Sequence, residues 1–376
     1  MDAPHLAVVG GGQLARMMQQ AAIGSGIRIR LLAEGPDVSA AQVVPDRLVG
    51  DHTVLADLER VCEGVAVVTF DHEHVPPEHL RALAAAGHAP RPGPHALLFA
   101  QDKAEMRARL AELGVPGPAH AVVADPQDLT DFAGRVGGFP VIVKTTRGGY
   151  DGKGVWKVDA ADEAAEAFAS GRTLIAEELV DFRRELSAQV ARRPSGEVVA
   201  YPVVQSRQDD GICREVIAPA PDLDAGLAAQ AEQIARTLAV ELDVVGMLAV
   251  ELFETSDGRV LVNELAMRPH NTGHWSIDGS ATSQFENHLR AVLDLPLGPT
   301  AARAPWSVMV NVLGGSVTDL EAQLAEVLAQ VPEARVHLYG KAVRSGRKVG
   351  HVTVVGDDLD QVRSRARLAA DLLENG

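Results

Sequence analysis

An apolar pentapeptide running straight into three glycines and then a helix-forming run restricts this chain more than any other feature: His5 to Val9, Gly10-Gly11-Gly12, and Gln13 to Ile23. Strands buried on both faces of a parallel sheet read as continuous apolar runs, and glycines after such a strand allow a tight turn into a helix. The helix ends at Gly24, a second apolar strand follows at Ile27 to Ala33, and Val65 to Phe70 supplies another. This alternation predicts an α/β unit over residues 1–100, a parallel sheet covered by helices, closed by Pro90, Pro92 and Pro94.

The rest of the 376 residues exceeds what one hydrophobic core usually serves. From Asp102 a charged helical segment reaches Leu113, and Gly114-Val115-Pro116 stops it. Strand-like runs then occur at Val141 to Lys144, Thr173 to Glu177, Leu186 to Ala191, Val198 to Val204 and Met247 to Glu254, with a long helix from Asp224 to Leu242. They predict an α+β body over residues 101–296. After the break Leu295-Pro296-Leu297-Gly298-Pro299, a small C-terminal unit over 297–376 is expected, with strands at Val308 to Leu313 and Val352 to Val355 and a helix around Leu320 to Leu328.

Composition excludes several functions. A formal charge of −16 repels a phosphate backbone, so no nucleic-acid partner is expected. Cys62 and Cys213 form neither a disulfide framework nor a metal pair, which points to a reducing cytoplasm. No apolar run approaches the roughly 20 residues of a membrane helix, and no basic leader precedes Leu6.

Gly10 to Ala15 fits the G-x-G-x-x-A pattern of dinucleotide-binding turns, with Glu34 near the expected ribose acid. Amides at a helix N-terminus favour any phosphate, and the same glycines also serve close helix–strand packing. No other segment offers a hydride-transfer site. Parts for handling ATP are more numerous. Lys144 ends an apolar strand just before Arg147-Gly148-Gly149-Tyr150-Asp151-Gly152-Lys153-Gly154, a glycine-rich loop able to fold over a triphosphate. Glu251 and Glu264 flank a turn at Ser256-Asp257-Gly258, which brings them near opposite positions on adjacent strands, suited to Mg²⁺ with Asn263 beside them. Glu177-Glu178-Leu179-Val180 offers backbone edges for a purine, and Glu185 an acceptor for ribose hydroxyls.

With these residues in view the chain resembles the ATP-grasp superfamily, and within it the N5-carboxyaminoimidazole ribonucleotide synthase family. The resemblance is carried by Gly11 to Leu14, Gly148 to Gly154, Asn263 to Trp275, Ser283 to His288 and Gly346 to His351. It implies a pre-ATP-grasp domain, a central ATP-grasp domain and a small C-terminal domain. It also implies an ATP-dependent ligase of purine biosynthesis that carboxylates aminoimidazole ribonucleotide with bicarbonate through carboxyphosphate. ATP is then held by Lys103, Lys144, Gly149, Tyr150, Asp151, Gly152, Lys153, Gly154, Val155, Glu177, Glu178, Leu179, Val180, Glu185, Gln208, Asn263 and Glu264, and Mg²⁺ or Mn²⁺ by Glu251 and Glu264. Catalysis falls to Glu73, Tyr150, Asp151, Lys153, Arg268 and Lys341, and ribonucleotide binding to Gln13, Leu14, Lys341, Arg344, Arg347 and Lys348. A cytoplasmic homodimer is implied as well. The rival reading is another ATP-grasp carboxylase, such as a biotin carboxylase-like enzyme, which gives no reason for the basic cluster Lys341 to Lys348. Gln208 stands where the family commonly has His, and Met267 where it has Pro.

Overall fold

The computed structural model describes residues 4–149 and 153–376. Its N-terminal sheet has five parallel strands in the spatial order Asp46–Val49, Arg28–Ala33, His5–Val9, Val67–Phe70 and Ala89–Pro90. Chain order reverses beside His5–Val9, so the carboxyl ends of that strand and of Val67–Phe70 flank the crevice where open parallel sheets place ligands. The glycine turn leaves one of these ends, and Asp71, His72 and Glu73 leave the other.

The glycines are explained by packing. A Cβ on Gly12 would lie 2.1 Å from Asp71 Oδ2, and one on Gly11 2.3 Å from a Val38 methyl. Asp71 accepts hydrogen bonds from the Gly12 and Ala15 amides at 3.1 and 2.7 Å, and Glu34 accepts one from Gly11 at 3.0 Å. The helix amides that a dinucleotide pyrophosphate would take are therefore held by the chain's own carboxylate. Glu34 serves the turn itself.

The central body holds two antiparallel sheets. The smaller has the order His120–Val123, Leu174–Glu178, Val141–Thr145 and Val155–Val158. The larger has nine strands, beginning at the edge with Val260–Ala266, then Gly246–Thr255, Phe182–Arg192, Val204–Asp209 and Ile212–Ala218. It continues without a break into Trp306–Leu313, Lys348–Gly356 and Arg335–Leu338, with Val198–Ala200 paired to Phe182–Arg192. The C-terminal part thus has its own core, Val310, Val327, Val352 and Leu373 among its residues, on a sheet shared with the central body. The strand expected over Val198 to Val204 is two strands, interrupted where Pro202 has no amide to donate.

Core placement defines the cleft. One apolar cluster runs from the N-terminal sheet through Met106 and Leu110 to Leu186, Val250 and Val262 of the large sheet. The small sheet packs on a separate cluster, with Leu129, Phe132, Val141 and Ala176. The faces of the two sheets between these cores carry both apolar and charged side chains, Ile142, Phe253, Lys144 and Glu251 among them.

Candidate active site

A cavity of about 680 Å³ opens between the two antiparallel sheets and reaches the carboxyl end of the N-terminal sheet. Strand periodicity aims its first group of side chains. In Val141–Thr145 the buried residues alternate with Ile142 and Lys144, so an apolar surface and a cation share the face turned to the cavity. From the neighbouring strand, Glu177 receives Lys144 Nζ at 2.7 Å and Arg107 Nε at 2.6 Å. Burial works to raise the Glu177 carboxyl, but Lys144 and Arg107 override it and hold the group down to about 2. A carboxylate depressed in the fold stabilises above its unfolded pKa and loses that contribution as pH falls through the folded value. Between pH 6 and pH 2 the native chain is expected to lose about 3 kcal/mol more stability than a Glu177→Gln variant. Urea unfolding at several pH values measures this; equal losses would overturn it.

The opposite wall comes from a hairpin. Glu251 and Glu264 are direct cross-strand partners, while Leu252 pairs with Val262, so Asn263 is the extra residue of a β-bulge. Strict alternation would send Asn263 and Glu264 to opposite faces; with the bulge both line the cavity. Asn263 Oδ1 lies 3.3 Å from Lys144 Nζ, and Glu264 receives Lys103 Nζ at 2.9 Å. Lys103 and Arg107 stand four residues apart on the helix Lys103–Glu112, which turns both toward the cleft.

Burial, followed by the charges of Glu264 and Glu185, pushes the Glu251 carboxyl up to about 8. Burial alone raises Glu185 to about 7. Glu251 and Glu185, held up in this way, gain from added positive charge beside them, and a divalent cation supplies it. The donor set therefore fits Mg²⁺ at Glu251 and Glu264. His270 Nε2, 3.6 Å from Glu251, faces the same point.

At the inner end Glu73 accepts from Arg268 Nε at 2.8 Å and from the Met267 amide at 3.2 Å. A proline at 267 would have no such donor, so Met267 adds a tether to Glu73. Lys341 Nζ meets Gln13 Oε1 at 2.5 Å and is lowered first by burial and then by Arg347.

The structure thus brings Glu73, Lys103, Lys144, Gly149, Val155, Glu177, Glu178, Leu179, Val180, Glu185, Gln208, Glu251, Asn263, Glu264, Arg268 and Lys348 to one cavity. Glu178 spends its carboxylate on the Ala119 amide at 2.9 Å, which leaves its backbone for a ligand. Gly154, at φ +73°, lies against Thr145 at the base of the loop. Lys153 is described beside it, whereas Tyr150, Asp151 and Gly152 lie outside the described residues. Arg344 and Arg347 are exposed, and Lys341 with Gln13 forms a second basic corner between the C-terminal part and the glycine turn. Leu14 does not join them: its side chain is 5% exposed in the core beside Met17, Ile27 and Leu31, where the apolar period of its helix places it.

Sequence reasoning missed Ile142, Phe182, Phe253, His270 and Arg107. Ile142 was signalled by its two-residue spacing from Lys144, and Arg107 by its four-residue spacing from Lys103. The stacked pair Phe182 and Phe253, with ring centroids 4.7 Å apart, joins residues far apart in sequence and had no local signal.

A nucleotide-sized cleft between two antiparallel sheets, one offering lysines and a glycine loop and the other opposed carboxylates, defines an ATP-grasp protein. Family models agree: the ribonucleotide synthetase preATP-grasp domain matches residues 4–101, the ATP-grasp domain 108–285, and the phosphoribosylaminoimidazole carboxylase C-terminal domain 307–365. The chain is 55% identical to N5-carboxyaminoimidazole ribonucleotide synthase of Mycobacterium tuberculosis strain H37Rv over 381 residues, covering 100% of this chain and 89% of that one. The crystal structure of N5-carboxyaminoimidazole ribonucleotide synthetase from Thermus thermophilus superposes with a TM-score of 0.89 at 41% identity, over 99% of both chains. N5-carboxyaminoimidazole synthase from Aspergillus clavatus, in complex with ADP and 5-aminoimidazole ribonucleotide, gives 0.89 at 30% identity, over 99% of this chain and 98% of that one. The chain belongs to the N5-carboxyaminoimidazole ribonucleotide synthase family of ATP-grasp ligases.

Proposed function

We propose that this chain joins bicarbonate to the exocyclic amine of 5-aminoimidazole ribonucleotide, converting ATP to ADP and phosphate and yielding N5-carboxyaminoimidazole ribonucleotide for purine synthesis. The observation that carries the reading is the joining of two subsites in one cavity: the Lys144–Glu177 and Lys103–Glu264 pairs along the cleft, and the Glu73–Arg268 pair at its inner end. The Aspergillus clavatus relative holds both ADP and the ribonucleotide, which fits one ligand to each subsite.

In this reading the purine lies against Ile142 and Phe253 with the backbone of Glu178 to Val180 along its edge, and Glu185 and Gln208 face the ribose. Lys144, Lys103 and the glycine loop match the phosphate oxygens, which positions the terminal phosphate and offsets its charge. Mg²⁺, when bound at Glu251 and Glu264, neutralises further phosphate charge. Bicarbonate oxygen attacks the terminal phosphorus and ADP leaves. The carboxyphosphate so formed breaks down to phosphate and a carboxyl donor that the amine captures. Arg268, fixed by Glu73, is the cation that orients these carboxylate-like species. Lys341 and Gln13, with Arg344, Arg347 and Lys348 nearby in sequence, face the ribonucleotide phosphate.

The protein works as a cytoplasmic homodimer in this proposal. Among the described residues no helix is long and apolar enough to cross a membrane. The experiment is phosphate release from ATP with Mg²⁺ and bicarbonate, with and without 5-aminoimidazole ribonucleotide. Strong stimulation by the ribonucleotide is expected. Release indifferent to it would overturn the assignment.

A further inference from the structure

Arg107 is 1% exposed, yet it carries a full charge into the wall between the two antiparallel sheets. Its three side-chain nitrogens reach three acceptors: Nε meets Glu177 Oε1 at 2.6 Å, Nη1 meets Val262 O at 2.7 Å, and Nη2 meets Asn263 O at 2.8 Å. The last two are backbone groups of the edge strand that holds the β-bulge. One guanidinium thus holds the Glu177 carboxylate and the backbone of Asn263, the two residues whose side chains meet Lys144.

Charge makes the arrangement more than a brace. Glu177 is shared by two cations, one on each oxygen, so the trio of Arg107, Lys144 and Glu177 keeps one net positive charge. Without Arg107 the remaining pair would sum to zero, and a neutral ion pair presents an anion with a far weaker field than a free ammonium. We propose that Arg107 is a positioning residue that neutralises Glu177, so that the charge of Lys144 stays available to the nucleotide phosphates. Its planar fork suits this task, because three separate nitrogens meet three separate acceptors, which the single nitrogen of a lysine cannot reproduce with the same geometry. The proposal rests on the ATP-dependent reading above and deepens it.

The test is a double-substitution cycle read by binding. A fluorescent ATP analogue is titrated with MgCl₂ against the unaltered chain, Arg107→Met, Glu177→Gln and the double variant, with folding checked by circular dichroism. Arg107→Met is expected to weaken binding about tenfold, because Lys144 is then cancelled by Glu177. Adding Glu177→Gln restores the net charge of the site, so the double variant should recover most of the lost affinity. Arg107→Lys, which keeps the charge, should bind within about threefold of the unaltered chain while unfolding more readily. A bracing role alone predicts the opposite pattern, with the double variant no better than Arg107→Met, and that result would overturn the proposal. If Arg107→Met does not fold, Arg107→Lys decides: binding as weak as that of a Lys144→Met variant would sink the idea. Failure of the unaltered chain to bind the analogue would overturn the ATP-dependent reading itself, and this inference with it.

Discussion

Glu264→Ala is expected to lower kcat/KM for ATP by about 10³-fold, because a lost divalent cation removes several kcal/mol of phosphate charge neutralisation. The fold should survive. Glu264 sits on the edge strand of the large sheet, partly exposed, and is ion-paired with Lys103 at the cleft. Pairs of that kind contribute about 0–1 kcal/mol to folding. The loss should therefore separate from stability: thermal unfolding near that of the unaltered chain, with turnover that added Mg²⁺ does not restore. Removing Glu264 also relieves one of the charges that hold Glu251 up near 8, so Glu251 should titrate lower in the variant. Near-normal turnover would dismiss the metal assignment.

Arg268→Met is expected to act on the other subsite. Arg268 and Glu73 are a largely enclosed pair whose hydrogen bond is 2.8 Å, and removing one partner leaves a carboxylate that, among the described residues, accepts a hydrogen bond from the Met267 amide alone. One-sided removal of such a pair costs about 3 kcal/mol of stability. Ribonucleotide-stimulated phosphate release should fall by at least about 10²-fold, the scale of losing one donor aimed at developing charge. ATP affinity should change little, since Lys103, Lys144 and the glycine loop are untouched. Arg268→Lys should recover little, because an ammonium cannot reproduce the guanidinium fork. Steady-state kinetics with each substrate varied in turn distinguishes the outcomes; an equal rise in the KM for ATP would refute the division of the cavity into two subsites.

Local chemistry made much of this architecture readable in advance. The strand, glycine turn and helix from His5 to Gly24 follow from apolar runs and a residue without a Cβ, and the structure differs by a residue at the helix end. The turn at Ser256-Asp257-Gly258 was enough to put Glu251 and Glu264 near each other, since hairpin register is local, but counting on from Leu252 with Val262 leads to Asn263, and only the bulge sets Glu264 directly opposite. What could not be counted was the consequence of long-range pairing. The resemblance over Gly11 to Leu14 implies Leu14 as a ligand contact, yet only the packing of the sheet's second face shows that its side chain belongs to the core. Arg107 looked like one charge among many on a polar helix, and its burial depends on an edge strand some 155 positions away. The helix Leu359–Asn375 and the strand Arg335–Leu338 also escaped the sequence reading, the helix because its apolar face is defined by the sheet it covers and the short strand because only its pairing with Lys348–Gly356 defines it.

The continuity of the large sheet limits what can be exchanged among relatives. Ile212–Ala218 and Trp306–Leu313 are matched from Glu215 with Val310 to Ala218 with Ser307. A graft of the C-terminal portion from another member would have to reproduce those pairings residue for residue, since a slip of one turns every side chain of the incoming strand to the wrong face. The unit of inheritance is then the whole sheet, and recombination near the proline-rich break at 296 should yield insoluble hybrids unless both halves come from kin that share this register.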